Sequence, residues 1–179
     1  MIQREQELQK YEKGNYVVNY LKSLLPDVPV FIETGTWKGH CTELAARKFE
    51  EVYTIEFVPS IFDEAKKYLI DYENVYQILG DSGKVLEPLI EGIQKDFVIF
   101  IDAHLQPGYE HLNHDHIPVL HEIDVINKSK YFKCAIIDDV LNMKTDHGID
   151  IKKKIIELDL LWVYDRKLDM MIVQKENEK

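Results

Sequence analysis

Short apolar runs alternate with amphipathic segments along most of the chain. The runs are rich in β-branched and aromatic residues, which is typical of strands. They predict five strands, at Val28–Glu33, Val52–Glu56, Asn74–Leu79, Phe97–Asp102 and Lys133–Asp138. The runs FVIFI and AII are continuous rather than alternating, which indicates burial on both faces, as in parallel strands covered by helices.

The segments between these runs have helical spacing. Pro59 opens PSIFDEAKKYLIDY, in which one helix face carries the apolar residues Ile61, Phe62, Ala65, Tyr68 and Leu69. Helices are also predicted over 39–49, 117–127 and 149–158. A further helix is predicted over SGKVLEPLIEGI, with Ser82 as its N-cap and with Pro88 kinking or shortening it.

The two ends of the chain depart from this rhythm. An amphipathic helix that packs on the sheet is predicted before the first strand, from Val17, Tyr20, Leu21, Leu24 and Leu25. The tail LLWVYDRKLDMMIVQ has two apolar runs around Asp165, Arg166 and Lys167, and predicts an antiparallel hairpin at the sheet edge. This edge is also our candidate surface for a homodimer.

Alternation of strands and helices predicts an α/β fold with a doubly wound, mostly parallel sheet and right-handed crossovers. With the hairpin, the sheet has seven strands. No linker or repeat divides the 179 residues, so we expect a single domain, with an N-terminal helical segment (1–25) and a core (26–179).

Charge and composition narrow the possible roles. The 22 Lys and Arg residues against 32 Asp and Glu residues give a net charge of −10, which disfavours nucleic acid and anionic membranes as partners. The longest apolar run, Phe97 to Ile101, is far too short to span a bilayer, and the N-terminus lacks the apolar stretch of a signal peptide. Two cysteines, Cys41 and Cys134, exclude a disulfide framework. We therefore expect a cytoplasmic protein.

Acidic residues stand at the end of every predicted strand: four strands end in Glu33, Glu56, Asp102 and Asp138, and Asp81 lies just past the third strand. Ligands of open parallel sheets bind outside the carboxyl ends of the strands. A single acid at a strand end is as often a solvated turn residue as a residue that binds a ligand. Repetition over five strands favours a shared site.

The first strand runs into the turn Glu33-Thr34-Gly35-Thr36-Trp37-Lys38-Gly39, whose glycines allow a tight bend and close approach of a ligand to the backbone. The dinucleotide motif G-x-G-x-x-G is absent, because Trp37 and His40 stand where glycine is required. Glu56 follows 23 residues after Glu33, where a carboxylate binds a ribose diol, although alone it would read as a surface residue.

In this order, the segments VFIETGTWKGHCT, YTIE, LGDS, FIDAH and IIDD resemble the class I S-adenosylmethionine-dependent methyltransferases. Within them, the chain is most similar to small stand-alone members related to macrolide-sugar and other metal-dependent O-methyltransferases. The resemblance covers about residues 29 to 140 and implies a Rossmann-like fold. The tail hairpin matches the antiparallel final strand of that fold.

The resemblance implies roles for the polar residues. Those expected to line the methionine end of S-adenosylmethionine are Glu33, Gly35, Thr36 and Gly39. Glu56 would hold the ribose hydroxyls. Asp81 and Ser82 would lie near the adenine, although an Asp-Ser pair is equally a helix cap.

The resemblance also matches Asp102, Asp138 and Asp139 with acids that bind a divalent cation. If the fourth and fifth strands are neighbours, about 4.8 Å apart, Asp102 and Asp138 crowd each other, so a cation or a proton must intervene. Oxygen ligands suit Mg²⁺ or Ca²⁺. The alternative is that Asp139 caps a loop while Asp138 points elsewhere. Asp102 is our candidate general base and His104 the other, unless His104 only bonds to a loop carbonyl.

These residues predict an enzyme that transfers a methyl group from S-adenosylmethionine to a hydroxyl of a small molecule, with assistance from Mg²⁺ as an option. A sugar or glycan acceptor is implied by the resemblance alone. The alternative is a non-catalytic Rossmann-like module or subunit that binds a nucleoside-containing ligand. A nicotinamide enzyme is disfavoured by Trp37 and His40.

Overall fold

The computed structural model describes residues 2–102 and 118–175. Within these ranges, seven strands form one sheet: β1 (Val30–Thr34), β2 (Glu51–Glu56), β3 (Val75–Leu79), β4 (Phe97–Ile101), β5 (Phe132–Ile137), β6 (Leu161–Asp165) and β7 (Met170–Gln174). The helices described are α1 (Ile2–Leu24), α2 (His40–Ala46), α3 (Pro59–Tyr68), α4 (Ser82–Gly92), α5 (Val119–Lys128), α6 (Val140–His147) and α7 (Ile151–Glu157).

The strand order is β3-β2-β1-β4-β5-β7-β6. Strands β1 to β5 pair in parallel, whereas β7 pairs antiparallel with both β5 and β6. The predicted doubly wound, mostly parallel Rossmann-like sheet with an antiparallel hairpin is therefore confirmed. The strand order reverses between β1 and β4, which is where such folds bind their ligands.

The central strands are buried on both faces, as their continuous apolar runs predict. All five residues of β1 and of β4 are buried. On one face, Ile32 belongs to a cluster with Leu86 of α4 and Ile123 of α5. On the other face, Phe31 belongs to a cluster with Leu21 of α1. Full burial of such side chains stabilises the fold by roughly 1.5–3 kcal/mol each.

Helix α1 covers one face of the sheet. Val17 and Leu21 are fully buried, as the amphipathic pattern predicts, and so is Val18, although Leu24 is 41% exposed. Gly14 lies against the start of α2, where a Cβ atom on Gly14 would stand 2.8 Å from the Cβ atom of Cys41. Only a glycine lets the two helices come this close.

Three local predictions about the helices are corrected. Asp81, not Ser82, is the N-cap of α4, because its side chain accepts a hydrogen bond from the Gly83 N–H at 3.0 Å, and Ser82 is the first residue of the helix. The predicted shortening of α4 at Pro88 is wrong, because the helix runs through Pro88 to Gly92, while a kink at Pro88 stays a prediction. Tyr68 is 44% exposed rather than part of the buried face of α3.

The predicted tail hairpin forms β6 and β7, and β6 is an edge strand with Leu161 and Val163 exposed. A homodimer at this edge stays a prediction. No helix in the described ranges is both long and apolar enough to cross a membrane.

Candidate functional site

The ends of β1, β2 and β4 lie side by side because these strands pair in register. Thr34 is aligned with Ile55 of β2 and with Ile101 of β4. Just beyond, the Gly35 N–H donates to the Ile55 carbonyl at 2.9 Å and the Asp102 N–H donates to the Thr34 carbonyl at 3.0 Å. The glycine turn and Asp102 therefore lie together at the edge of the sheet that is formed by the carboxyl ends of the parallel strands, not at the lateral edge formed by β6.

The glycine turn bends through three residues with left-handed backbone. Their φ angles are 90° at Gly35, 48° at Trp37 and 82° at Gly39. A Cβ atom on Gly39 would also lie 2.9 Å from the Leu69 side chain. Trp37 tolerates this conformation at a cost of about 1–3 kcal/mol, and its N–H donates to the Glu56 carboxylate at 2.9 Å. The strained backbone thus connects the turn to Glu56.

Glu33 is buried beneath this turn. Its Oε2 atom accepts hydrogen bonds from the hydroxyls of Thr42 and Thr54, the latter at 2.9 Å. The Thr36 hydroxyl lies 2.6 Å from that of Thr54, so the three threonines form one network with the carboxyl. Burial raises the pKa of Glu33 to about 7, although these hydroxyls of Thr42 and Thr54 act to lower it. A cation that approached the carboxyl would favour its ionised form.

Glu56 is fixed at the end of β2. Its Oε1 atom accepts from the Val58 N–H at 2.8 Å, and its side chain is largely buried. Burial raises the pKa of Glu56, while hydrogen bonds from backbone N–H groups lower it by less. The Gly80 N–H donates to the Glu56 carbonyl at 2.9 Å, so Asp81 and Ser82 follow at the same edge. The Asp81 carboxylate also pairs with Lys84 at 3.2 Å.

Asp102, Asp138 and Asp139 meet at the ends of β4 and β5. One carboxylate oxygen from each lies within 4.8 Å of the others. Asp138 is 1% exposed, and among the described residues nothing donates a hydrogen bond to its buried Oδ2 atom. Burial raises the pKa of Asp138 to about 7, helped by the charge of Asp102 and opposed by Lys13. Three converging carboxylates with an unpartnered oxygen fit an oxygen-binding cation such as Mg²⁺ or Ca²⁺.

Two lysines of α1 contact the same acids and were not identified in the sequence. Lys10 Nζ donates to both carboxylate oxygens of Asp102, at 2.9 and 3.2 Å. Lys13 Nζ donates to Asp138 and, at 3.3 Å, to Asp139. The signal that would have found them is helical spacing, because Lys10, Lys13 and Gly14 continue the buried stripe of Val17 and Leu21 toward the N-terminus.

A small cavity of about 20 Å³ lies between α1 and the glycine turn. Lys10, Lys13, Glu33, Gly35 and Asp102 line part of it. This space suffices for about one water molecule. His104, the other predicted base, lies outside the described residues.

The fold is similar to those of solved methyltransferases. The Podospora anserina methyltransferase PaMTH1, bound to S-adenosylhomocysteine (SAH), superposes with a TM-score of 0.69 and 16% identity, over 92% of this chain and 78% of that one. An O-methyltransferase from Bacillus cereus, also in complex with SAH, has a TM-score of 0.59 and 18% identity, over 92% and 81%. An rRNA methylase from Streptococcus thermophilus has a TM-score of 0.57 and 16% identity, over 90% and 95%.

Sequence comparison adds a short local match. No protein-family model matches the chain. Protein-L-isoaspartate O-methyltransferases from Dictyoglomus thermophilum and Dictyoglomus turgidum are 42% and 44% identical to it over 52 residues, which is 28% of this chain. The match spans 24% of the length of those relatives. In architecture, the chain has the fold of the class I S-adenosylmethionine-dependent methyltransferases, as its ordered motifs predict.

Proposed function

We propose that this protein transfers the methyl group of S-adenosylmethionine to a hydroxyl of a small molecule. One observation carries the proposal: Gly35, Glu56 and Asp102, which follow or end three different strands, meet at one edge of the sheet next to a strained glycine turn. That edge is where this fold class binds nucleoside ligands. Neighbours of the fold include O-methyltransferases, which supports oxygen as the methylated atom.

The cofactor would lie across the strand ends. Glu33, Gly35, Thr36 and Gly39 would surround its methionine end, Glu56 would accept hydrogen bonds from the ribose hydroxyls, and the segment at Asp81 and Ser82 would face the adenine. The cofactor supplies a methyl group on a positively charged sulfur. The acidic side chains on this edge suit a cationic ligand, and the fixed carboxylate of Glu56 needs no reorganisation to receive the ribose.

The transfer forms a bond between the acceptor oxygen and the methyl carbon, breaks the bond from that carbon to sulfur, and leaves SAH. The proton of the acceptor hydroxyl must go to a base. We assign this role to Asp102, whose side chain is 10% exposed and lines the crevice formed by the cavity beside the glycine turn, with His104 as the second candidate. Alignment of donor and acceptor is the protein's other contribution.

We also propose that Asp102, Asp138 and Asp139 hold a divalent cation, with Mg²⁺ as the first candidate. The converging oxygens and the unpartnered Oδ2 atom of Asp138 support this. Such a cation would lower the pKa of the acceptor hydroxyl and orient it. The resemblance to sugar-modifying enzymes favours a sugar or glycan acceptor.

Calorimetric titration with SAH and S-adenosylmethionine tests cofactor binding. We expect wild-type protein to bind both, and Glu56→Gln to weaken binding about tenfold or more, because a hydrogen bond to a charged group contributes roughly 1.5–3 kcal/mol. Glu157→Gln, which changes an exposed glutamate of α7, is the matched control and should bind like wild type. A wild-type protein that binds neither compound would overturn the proposal.

Mass spectrometry of panels of sugars, phenols and amines, with and without Mg²⁺, then tests catalysis. We expect methylation of a hydroxyl compound and its loss in Asp102→Ala. Binding of SAH without methylation of any panel would instead favour a non-catalytic nucleoside-binding module.

A further inference from the structure

Helix α1 carries two ammonium groups to the strand ends. Lys10 and Lys13 are three positions apart and therefore share a helix face with Gly14. The close contact between Gly14 and Cys41 lets that face approach the sheet. The two lysines reach Asp102 and Asp138 across 92 and 125 positions of sequence.

The Lys10 ammonium stands at the cavity where the proposed function puts the amino-acid end of the cofactor. Lys10 and Asp102 both line the cavity beside Glu33 and Gly35, and that cavity is only about 20 Å³. An ammonium and a carboxylate group on one carbon need more space than a single water molecule. Because Lys10 Nζ is hydrogen-bonded to both carboxylate oxygens of Asp102, a ligand ammonium that binds Asp102 must displace Lys10 from at least one of them.

The charges of the cavity match those of an amino acid. Glu33 and Asp102 are acceptors for an ammonium group, whereas Lys10 and Lys13 are donors for a carboxylate. Burial acts to lower the pKa of Lys10, but the charge and the hydrogen bonds of Asp102 act more strongly to raise it. The pKa of Lys10 is therefore above its ordinary value, and Lys10 stays protonated. Lys13 is held between Asp138 and Asp139, which leaves Lys10 as the lysine that a ligand at Asp102 displaces.

We propose that Lys10 exchanges partners when the cofactor binds. The α-ammonium group of the cofactor takes over one of the two Asp102 oxygens that Lys10 now holds, which leaves the other oxygen for the roles proposed above. The Lys10 ammonium then binds the α-carboxylate of the cofactor. Lys10 is then a cofactor-binding residue that α1 supplies. This inference rests on the proposed function, because it needs a ligand with an amino-acid end in this crevice.

A binding cycle isolates the contact between Lys10 and the carboxylate. SAH is compared by calorimetry with its decarboxylated analogue, which keeps the ammonium group and lacks the carboxylate, on wild type, Lys10→Met and Lys10→Arg. We expect wild type to prefer SAH by about tenfold or more. The preference should largely disappear in Lys10→Met and persist in Lys10→Arg. The analogue should also bind Lys10→Met more tightly than wild type, since no ion pair has to break.

The control variant is Lys153→Met, which removes an exposed lysine of α7 and should keep the wild-type preference. Thermal unfolding monitored by circular dichroism verifies that each variant is folded. An equal preference for SAH in wild type and Lys10→Met would refute the exchange while leaving the proposed function intact. Failure of wild type to bind either compound would overturn both.

Discussion

At the scale of single residues, the buried carboxyl of Glu122 stands out because the proposed chemistry does not use it. Glu122 lies on α5 and is 0% exposed, and among the described residues neither of its oxygens has a hydrogen-bond partner of normal geometry. Burial raises its pKa to about 7, while the nearby hydroxyls of Ser82 and Thr34 lower it by less. The side chain is therefore neutral at acidic pH and costly to ionise above neutrality.

This shift makes stability depend on pH. The folded-state pKa of Glu122 lies above its ordinary value of 4.5. The stability that the protonated Glu122 side chain contributes to the folded state is therefore fully present below about pH 4.5 and is lost as pH rises through about 7. Glutamine cannot ionise. The free energy of unfolding of Glu122→Gln, measured relative to that of wild type, should therefore be higher at pH 8.5 than at pH 5, by up to about 3 kcal/mol. Urea unfolding at the two pH values measures the difference. Glu157→Gln should show none, and a pH-independent offset in Glu122→Gln would contradict the assignment.

A second residue-scale prediction concerns Lys13. Its ammonium group and a divalent cation would occupy the same oxygens of Asp138 and Asp139, so they compete. Removing the competitor in Lys13→Met should tighten Mg²⁺ or Mn²⁺ binding about tenfold, because a charged hydrogen bond contributes about 1.5 kcal/mol or more. Calorimetry with the metal alone measures this, with Lys153→Met as the control. Equal metal affinity in wild type and Lys13→Met would show that the cation does not bind these acids.

At the scale of elements, the position of α1 depends on Gly14. An added methyl group would stand 2.8 Å from the Cβ atom and 3.1 Å from the Cα atom of Cys41, so the helix must shift. Gly14→Ala should lower the free energy of unfolding by about 1–3 kcal/mol, despite the better helix propensity of alanine. It should also weaken SAH binding, since Lys10 moves with the helix.

Gly92 provides the matched control for this change. It ends α4, and nothing lies within 4 Å of the position of an added methyl group. Gly92→Ala should be neutral or stabilise the protein by up to about 1 kcal/mol. Denaturant unfolding of both variants measures the contrast, and equal stabilities would show that the contact between α1 and α2 is not tightly packed.

Elements whose signal is local could be predicted from the sequence, and those that depend on distant contacts could not. The run at Phe97 identified β4, and the parallel-sheet rule brought its terminal Asp102 next to the glycine turn. Lys10 and Lys13 escaped prediction because helical spacing places them on the buried face of α1 but does not reveal that this end of α1 covers the strand ends. The cap of α4 was assigned to Ser82 rather than Asp81 because both residues are good caps and only backbone geometry distinguishes them.

At the scale of the whole molecule, the net charge predicts which class of acceptor this protein disfavours. The fold is shared with an rRNA methylase, so architecture alone leaves the acceptor class open. The net charge of −10 opposes contact with a phosphate backbone. Fluorescence anisotropy of a labelled RNA hairpin, at about 0.15 M salt, should therefore show no binding at micromolar protein. Binding that weakens steeply with added salt would instead support an RNA acceptor.

The ion pair between Lys13 and Asp138 joins positions 125 residues apart, which has a consequence for biosynthesis. Helix α1 leaves the ribosome long before β5, so its lysines have no carboxylates to meet while the intervening strands are still being made. The nascent chain must keep the apolar side of α1 covered during this interval, and the crevice for the amino-acid end is completed only after β5 pairs with β4. Competence to capture a nucleoside ligand is therefore expected to be one of the last properties that the emerging polypeptide acquires.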